Sequence, residues 1–195
     1  MKNKGFTLIE LLAVITIMGI LMIVAIPAVT RTIENSRRDT FADIAHEYIN
    51  AVRNGILADN IECYDTEWRV ASANPAGTYY FPICTAQANC DAITGHNDMN
   101  GARIETSTKD LMEKGGKSPF GNAEMQGYVK LVKAIDTTTG KTTTKYSILL
   151  TDTGKHGIPS ETDENSIKRG AISAATNTKA INAPASGGGN PCRVS

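Results

Sequence analysis

Residues 6–29, FTLIELLAVITIMGILMIVAIPAV, decide how the rest of the chain must be built. Lys2 and Lys4 precede the stretch, and the only ionisable side chain inside it is Glu10. From Leu11 to Val29 no residue is charged. As a helix those residues would span roughly 28 Å, close to the hydrocarbon core of a bilayer. Basic residues stay on the cytoplasmic side, so everything after Arg31 is expected to face outward. A secretory signal has a shorter apolar region and a small-x-small cleavage site, and no Ala-x-Ala follows here. A plain anchor fits the length but leaves Glu10 unexplained, because a carboxylate in an apolar helix costs a few kcal/mol to insert.

Chain position supplies a partner for it. Cutting the bond after Gly5 makes Phe6 the N-terminus and sets its amine one helical turn from Glu10. The same pair could form between neighbouring chains, where a carboxylate among apolar helices would attract a neighbour's amine and fix the axial stagger. The segment KGFTLIELL, residues 4–12, resembles the class III leader and methylation motif of type IV pilins and of the related pseudopilins of type II secretion and competence systems. The resemblance covers residues 2–30. It implies that a prepilin peptidase cuts after Gly5 and methylates the Phe6 amine, and that Glu10 is needed for assembly. It also places Gly19 and Pro27 where the family has a helix-weakening glycine and a helix-kinking proline, with loss of helical hydrogen bonds between them in filaments. A kinked membrane helix tolerates both residues without any such role.

Beyond Pro27 the helical period persists and changes character. Phe41, Ile44, Ala45, Tyr48, Ile49, Val52 and Ile56 recur at spacings of three and four, a stripe meant for a core. Arg37, Arg38, Asp39, Asp43, Glu47 and Arg53 lie largely off the stripe, as a solvated face does. His46 beside Glu47 has no second histidine within a turn, so the pair lacks the ligand spacing of a zinc helix. The helix is expected to fray between Gly55 and Asn60.

Residues 61–125 are dense in Gly, Asn, Asp and Pro and read as a loop region, with a short strand at GTYYFPI and a short helix at 107–114. Alternation over 127–135 and 144–152, joined by DTTTGKTT, gives two antiparallel strands. A third is expected at SIKRGAIS, 166–173, after the loop DTGKHGIPSETDEN. SPFGN before the first of these strands resembles a Pro-aromatic-Gly segment that precedes the sheet in some pseudopilins. The fold expected is therefore α+β and pilin-like: a long N-terminal helix, membrane-spanning in its first half and amphipathic in its second, packed on a small antiparallel sheet. The divisions are a leader at 1–5, a transmembrane and assembly helix at 6–30, and a globular domain at 31–195. Within that domain lie the amphipathic helix half (31–58), the loop region (61–125), the sheet (about 126–175) and the tail (176–195).

Cys63, Cys84, Cys90 and Cys192 all follow the apolar segment, and an even number in an exported domain reads as two disulfides. Four cysteines permit three connectivities, and spacing does not choose among them. Cys63–Cys84 with Cys90–Cys192 is the working assignment. The spacing of Cys84 and Cys90, with no histidine at ligand distance, argues against a metal site. Asp152, Glu161, Asp163 and Glu164 are oxygen ligands of the kind calcium takes, but they lack EF-hand spacing and read first as a solvated loop.

Lys+Arg and Asp+Glu both number 20 and are dispersed, so no nucleic-acid surface is expected. No nucleophile elbow, P-loop or dinucleotide fingerprint occurs, and His46, His96 and His156 are scattered, so neither an enzyme nor a cofactor is expected. The resemblance implies a structural subunit: a membrane-anchored precursor, processed by prepilin peptidase and built by a pilus assembly machinery into an extracellular, helical homo-oligomeric filament. The alternatives are a pseudopilin of a secretion or DNA-uptake system and a single-pass surface protein that never polymerises.

Overall fold

The computed structural model describes residues 7–58, 61–63, 76–84, 104–105, 117–121, 123–152, 156–174 and 190–194. The expected helix at 107–114 lies outside them. The chain forms two compact units, one ending at Arg37 and one beginning at Arg38.

A single helix, α1, runs Leu8–Leu57, with Pro27 inside it. In the first unit its large apolar side chains, from Leu8 to Val29 and on to Ile33, are all exposed. This part is long and apolar enough to cross a membrane. Its threonines return their hydroxyls to the backbone: Thr16 donates to the Ala13 carbonyl at 2.8 Å, and Thr30 to that of Ile26 at 2.9 Å. An internally bonded threonine suits an apolar setting, because its one strong donor is already satisfied.

In the second unit the helix buries the stripe expected of it. Phe41, Ala45, Tyr48, Ile49 and Val52 are completely buried. They meet one face of a sheet whose strands are β1 (Ile61–Cys63), β2 (Gly77–Cys84), β3 (Ile104–Glu105), β4 (Met125–Ile135), β5 (Thr142–Asp152), β6 (His156–Asp163), β7 (Ser173–Ala174) and β8 (Asn190–Val194). The order across the sheet is β1-β8-β2-β4-β5-β6-β7, with β3 beside β2. Neighbours are antiparallel except for β2 with β3 and β2 with β8, which are parallel. Phe81, Ile83, Val129, Leu131, Ile148, Leu150 and Ile158 join the helix stripe in one core. Each such side chain is worth roughly 1.5–3 kcal/mol when fully buried.

The pairing of β4 with β5 is the longest in the sheet, from Met125↔Asp152 to Ile135↔Thr142. Its turn is set by side-chain chemistry. The Asp136 carboxylate accepts from the Thr138 and Thr139 amides, and Gly140 takes the left-handed conformation (φ 67°) that closes the loop. Near the start of β4, Gly127 lies so close to β5 that a Cβ there would sit 2.0 Å from the Leu149 carbonyl oxygen. Only glycine fits that crossing.

Two expectations need correction. The third strand is 156–163, inside the segment assigned to a loop, and 166–173 is mostly not a strand. Asp163 accepts from the Asn165 amide and starts a 3-10 turn at Glu164–Ser166, a second follows at Arg169–Ala171, and extended pairing resumes only at β7. The segment is held by Ile167 and Ile172, both buried, at a spacing of five that fits neither strand nor helix. The region 61–125 holds the strand expected at GTYYFPI, as β2, but also contributes β1 and β3, and the tail contributes β8.

Candidate functional site at the N-terminus of the helix

Gly5 and Phe6 lie outside the described residues; Thr7 to Glu10 do not. Thr7 is the N-cap of α1, its carbonyl accepting from the Leu11 amide at 3.3 Å. Its amide donates to Glu10 Oε2 at 2.8 Å and its hydroxyl donates to the same oxygen at 2.9 Å. The Glu10 amide donates back to Thr7 Oγ1 at 3.3 Å. This is a capping box: hydroxyl and carboxylate satisfy each other's backbone donors in a turn that would otherwise leave four N–H groups unpaired. The sequence carried the signal, since Thr7-Leu8-Ile9-Glu10 before an apolar run is the S/T-x-x-E pattern. Considered without Thr7, Glu10 looks like a misfit; with it, the carboxylate has local partners that keep it next to the chain start.

The box spends one carboxylate oxygen. Oε1 of Glu10 has no hydrogen bond among the described residues, and the helix dipole favours negative charge at this end. Because Thr7 keeps its amide whichever bond upstream is cut, processing after Gly5 would leave the box intact.

Gly19 and Pro27 both sit within the continuous helix. A Cβ at Gly19 would meet nothing within 4 Å, so nothing inside the described chain requires glycine there. Pro27 deletes one backbone donor, and three residues on, the Thr30 hydroxyl adds a bond to the Ile26 carbonyl.

Elsewhere, polar groups engage one another. Asp152 is buried and accepts from the Ser118 hydroxyl at 2.5 Å and the His156 amide at 2.7 Å. Phe120 stacks on the His156 ring at 3.9 Å and approaches Phe41 at 6.2 Å, so the turn at 119–121 is pinned to the sheet. Glu161 accepts from Lys130 at 2.7 Å, and Glu164 takes both oxygens to Arg53, at 2.6 and 2.7 Å. Thus the four carboxylates weighed as calcium ligands point to separate protein donors, and no group of three candidate metal ligands gathers among the described residues. Arg169 pairs with Asp39 and holds its carboxyl below the ordinary aspartate range. An open groove of about 510 Å³ between Asp39, Asp43, His46 and Ile167–Arg169 is lined by that ion pair and by His46, whose Nε2 lies 3.4 Å from the Ile167 carbonyl. No nucleophile stands beside a base there.

Of the cysteines, Cys63 ends β1, Cys84 ends β2, and Cys192 is fully buried in β8 and disulfide-bonded; Cys90 lies outside the described residues. The register sets Cys63 opposite Cys192.

Residues 1–26 match the family model of the prokaryotic N-terminal methylation motif. No curated protein and no solved structure matches the chain. The segment therefore carries a leader of the type IV pilin and pseudopilin kind, and the leader together with the apolar helix is that of a membrane-anchored precursor.

Proposed function

We propose that this protein is a type IV pilin-like structural subunit. The precursor is held in the membrane by the first part of α1, is cut after Gly5 and N-methylated on Phe6, and is assembled through that helix into an extracellular filament. The observation that carries the proposal is the coexistence, in one helix, of a methylation motif and an apolar surface exposed all round from Leu8 to Val29. Such a surface needs lipid or other chains around it. A filament replaces lipid by copies of the same helix.

Glu10 gains its role from the capping box. With Oε2 held by Thr7, the carboxylate is aimed, and Oε1 is available to the amine of an adjoining subunit. In an apolar bundle that pair is worth most when both members are present, and removing one leaves the other buried and uncompensated at a cost of about 3–5 kcal/mol. Glu10→Ala is therefore expected to leave the precursor in the membrane at its usual level and to reduce its recovery in sheared filaments roughly a hundredfold or more. Filaments that incorporate the variant at the wild-type level would refute this function for Glu10.

A further inference from the structure

We infer that Cys63 and Cys192 form a disulfide that clasps the end of the chain into the sheet, that Cys84 pairs with Cys90, and that the clasp closes only where thiols are oxidised. The backbone register carries the connectivity. Strand β8 lies between β1 and β2, antiparallel to the first and parallel to the second. Ile61↔Val194, Glu62↔Arg193 and Cys63↔Cys192 are direct partners across β1 and β8. Opposed residues of an antiparallel pair have Cα atoms about 4.5–5.5 Å apart and share a face, inside the range that a disulfide spans.

The other two connectivities fail on distance. Tyr79↔Asn190 and Tyr80↔Pro191 set Phe81 level with Cys192, so Cys84 lies three residues further along β2. At about 3.3 Å per residue and about 4.8 Å between strands, Cys84 is roughly 11 Å from Cys192 and roughly 14 Å from Cys63. Neither gap can be bridged, since Cα atoms more than about 7 Å apart do not join without backbone movement. The working assignment, Cys63–Cys84 with Cys90–Cys192, gives way to the remaining one.

The clasp has a clear task. Among the described residues three pairs join β1 to β8 and two join β8 to β2, too few to hold such a strand in water by themselves. A bond between Cys63 and Cys192 closes a loop around almost the whole head and ties the terminal strand to the one that follows the helix. Two thiols lose two protons and two electrons as the S–S bond forms. Both pass, through a mixed disulfide, to a thiol–disulfide exchange partner that is itself reduced to thiols. The requirement for that oxidant rests on the proposed export of the head; the connectivity does not.

The test is peptide mapping without reduction, on the full chain from native membranes and on full chain reduced in detergent and reoxidised with glutathione disulfide. A peptide linking Cys63 to Cys192 is expected in both. In Cys84→Ser, alkylation should find Cys90 free while Cys63 and Cys192 stay blocked. A Cys63–Cys84 or Cys90–Cys192 peptide, or free Cys63 in Cys84→Ser, would overturn the connectivity. Free thiols in native membranes together with the Cys63–Cys192 link after reoxidation would uphold the connectivity and overturn closure on export.

Discussion

The two parts of α1 are built from similar apolar residues and meet opposite fates. From Phe41 to Val52 the apolar side chains recur on one stripe, and the same chain covers them with a sheet. From Leu8 to Val29 they occur on every side, and the described chain covers none of them. An amphipathic stripe can be satisfied by one neighbour, whereas an all-round apolar surface needs an enclosing medium. The comparison teaches that the second region encodes a fold and the first encodes an environment, with Thr7 and Glu10 as the polar anchor at its edge.

The separation can be attacked from the loss of assembly under Glu10→Ala downward. Next in size is Phe41→Ala, which removes a fully buried ring from the head core and is expected to cost about 3–5 kcal/mol, with membrane insertion unchanged. Thermal unfolding followed by circular dichroism in detergent, alongside membrane fractionation, would show both; a variant that keeps its melting temperature would break the contrast between the regions. Gly127→Ala should cost about 1–3 kcal/mol, because the added methyl collides with the β5 backbone. An unchanged midpoint there would mean that β4 and β5 are not so closely crossed.

The smallest effect is one of alkaline pH. Burial, with the neighbouring Glu161 charge, pushes the Tyr128 phenol up to about 12. The folded head thus holds a proton that the unfolded chain releases near 10. Stability from this group is complete below pH 10 and is lost as pH rises from 10 toward 12. Tyr128→Phe should flatten that part of a stability-versus-pH curve; an equally steep fall in the variant would assign it to other groups.

How much could be read from the letters follows the same division. The stripe at 41–56 and the alternation of β4 and β5 were legible because each obeys one period and faces one partner. Strand β6 was not: HGIPSETD has no apolar alternation and ends in four polar residues, its Pro159 falls in the gap between the paired residues Ile158 and Thr162, and it is held by a neighbour that shifts register there. Strands β1 and β8 are short and gain their extended form from residues far away in the chain. At the chain start, Glu10 was conspicuous while Thr7 was not, because a threonine draws attention only once its spacing to a carboxylate is noticed. The cysteines were visible but not their partners, since connectivity depends on strand order.

The central claim concerns processing of the apolar helix, and intact-mass and fragment analysis of the mature N-terminus from native membranes or sheared filaments tests it most directly. The account predicts a chain that begins at Phe6 with a methylated amine. A mature chain that keeps Met1 through Gly5, or that begins at Phe6 unmodified, would contradict it.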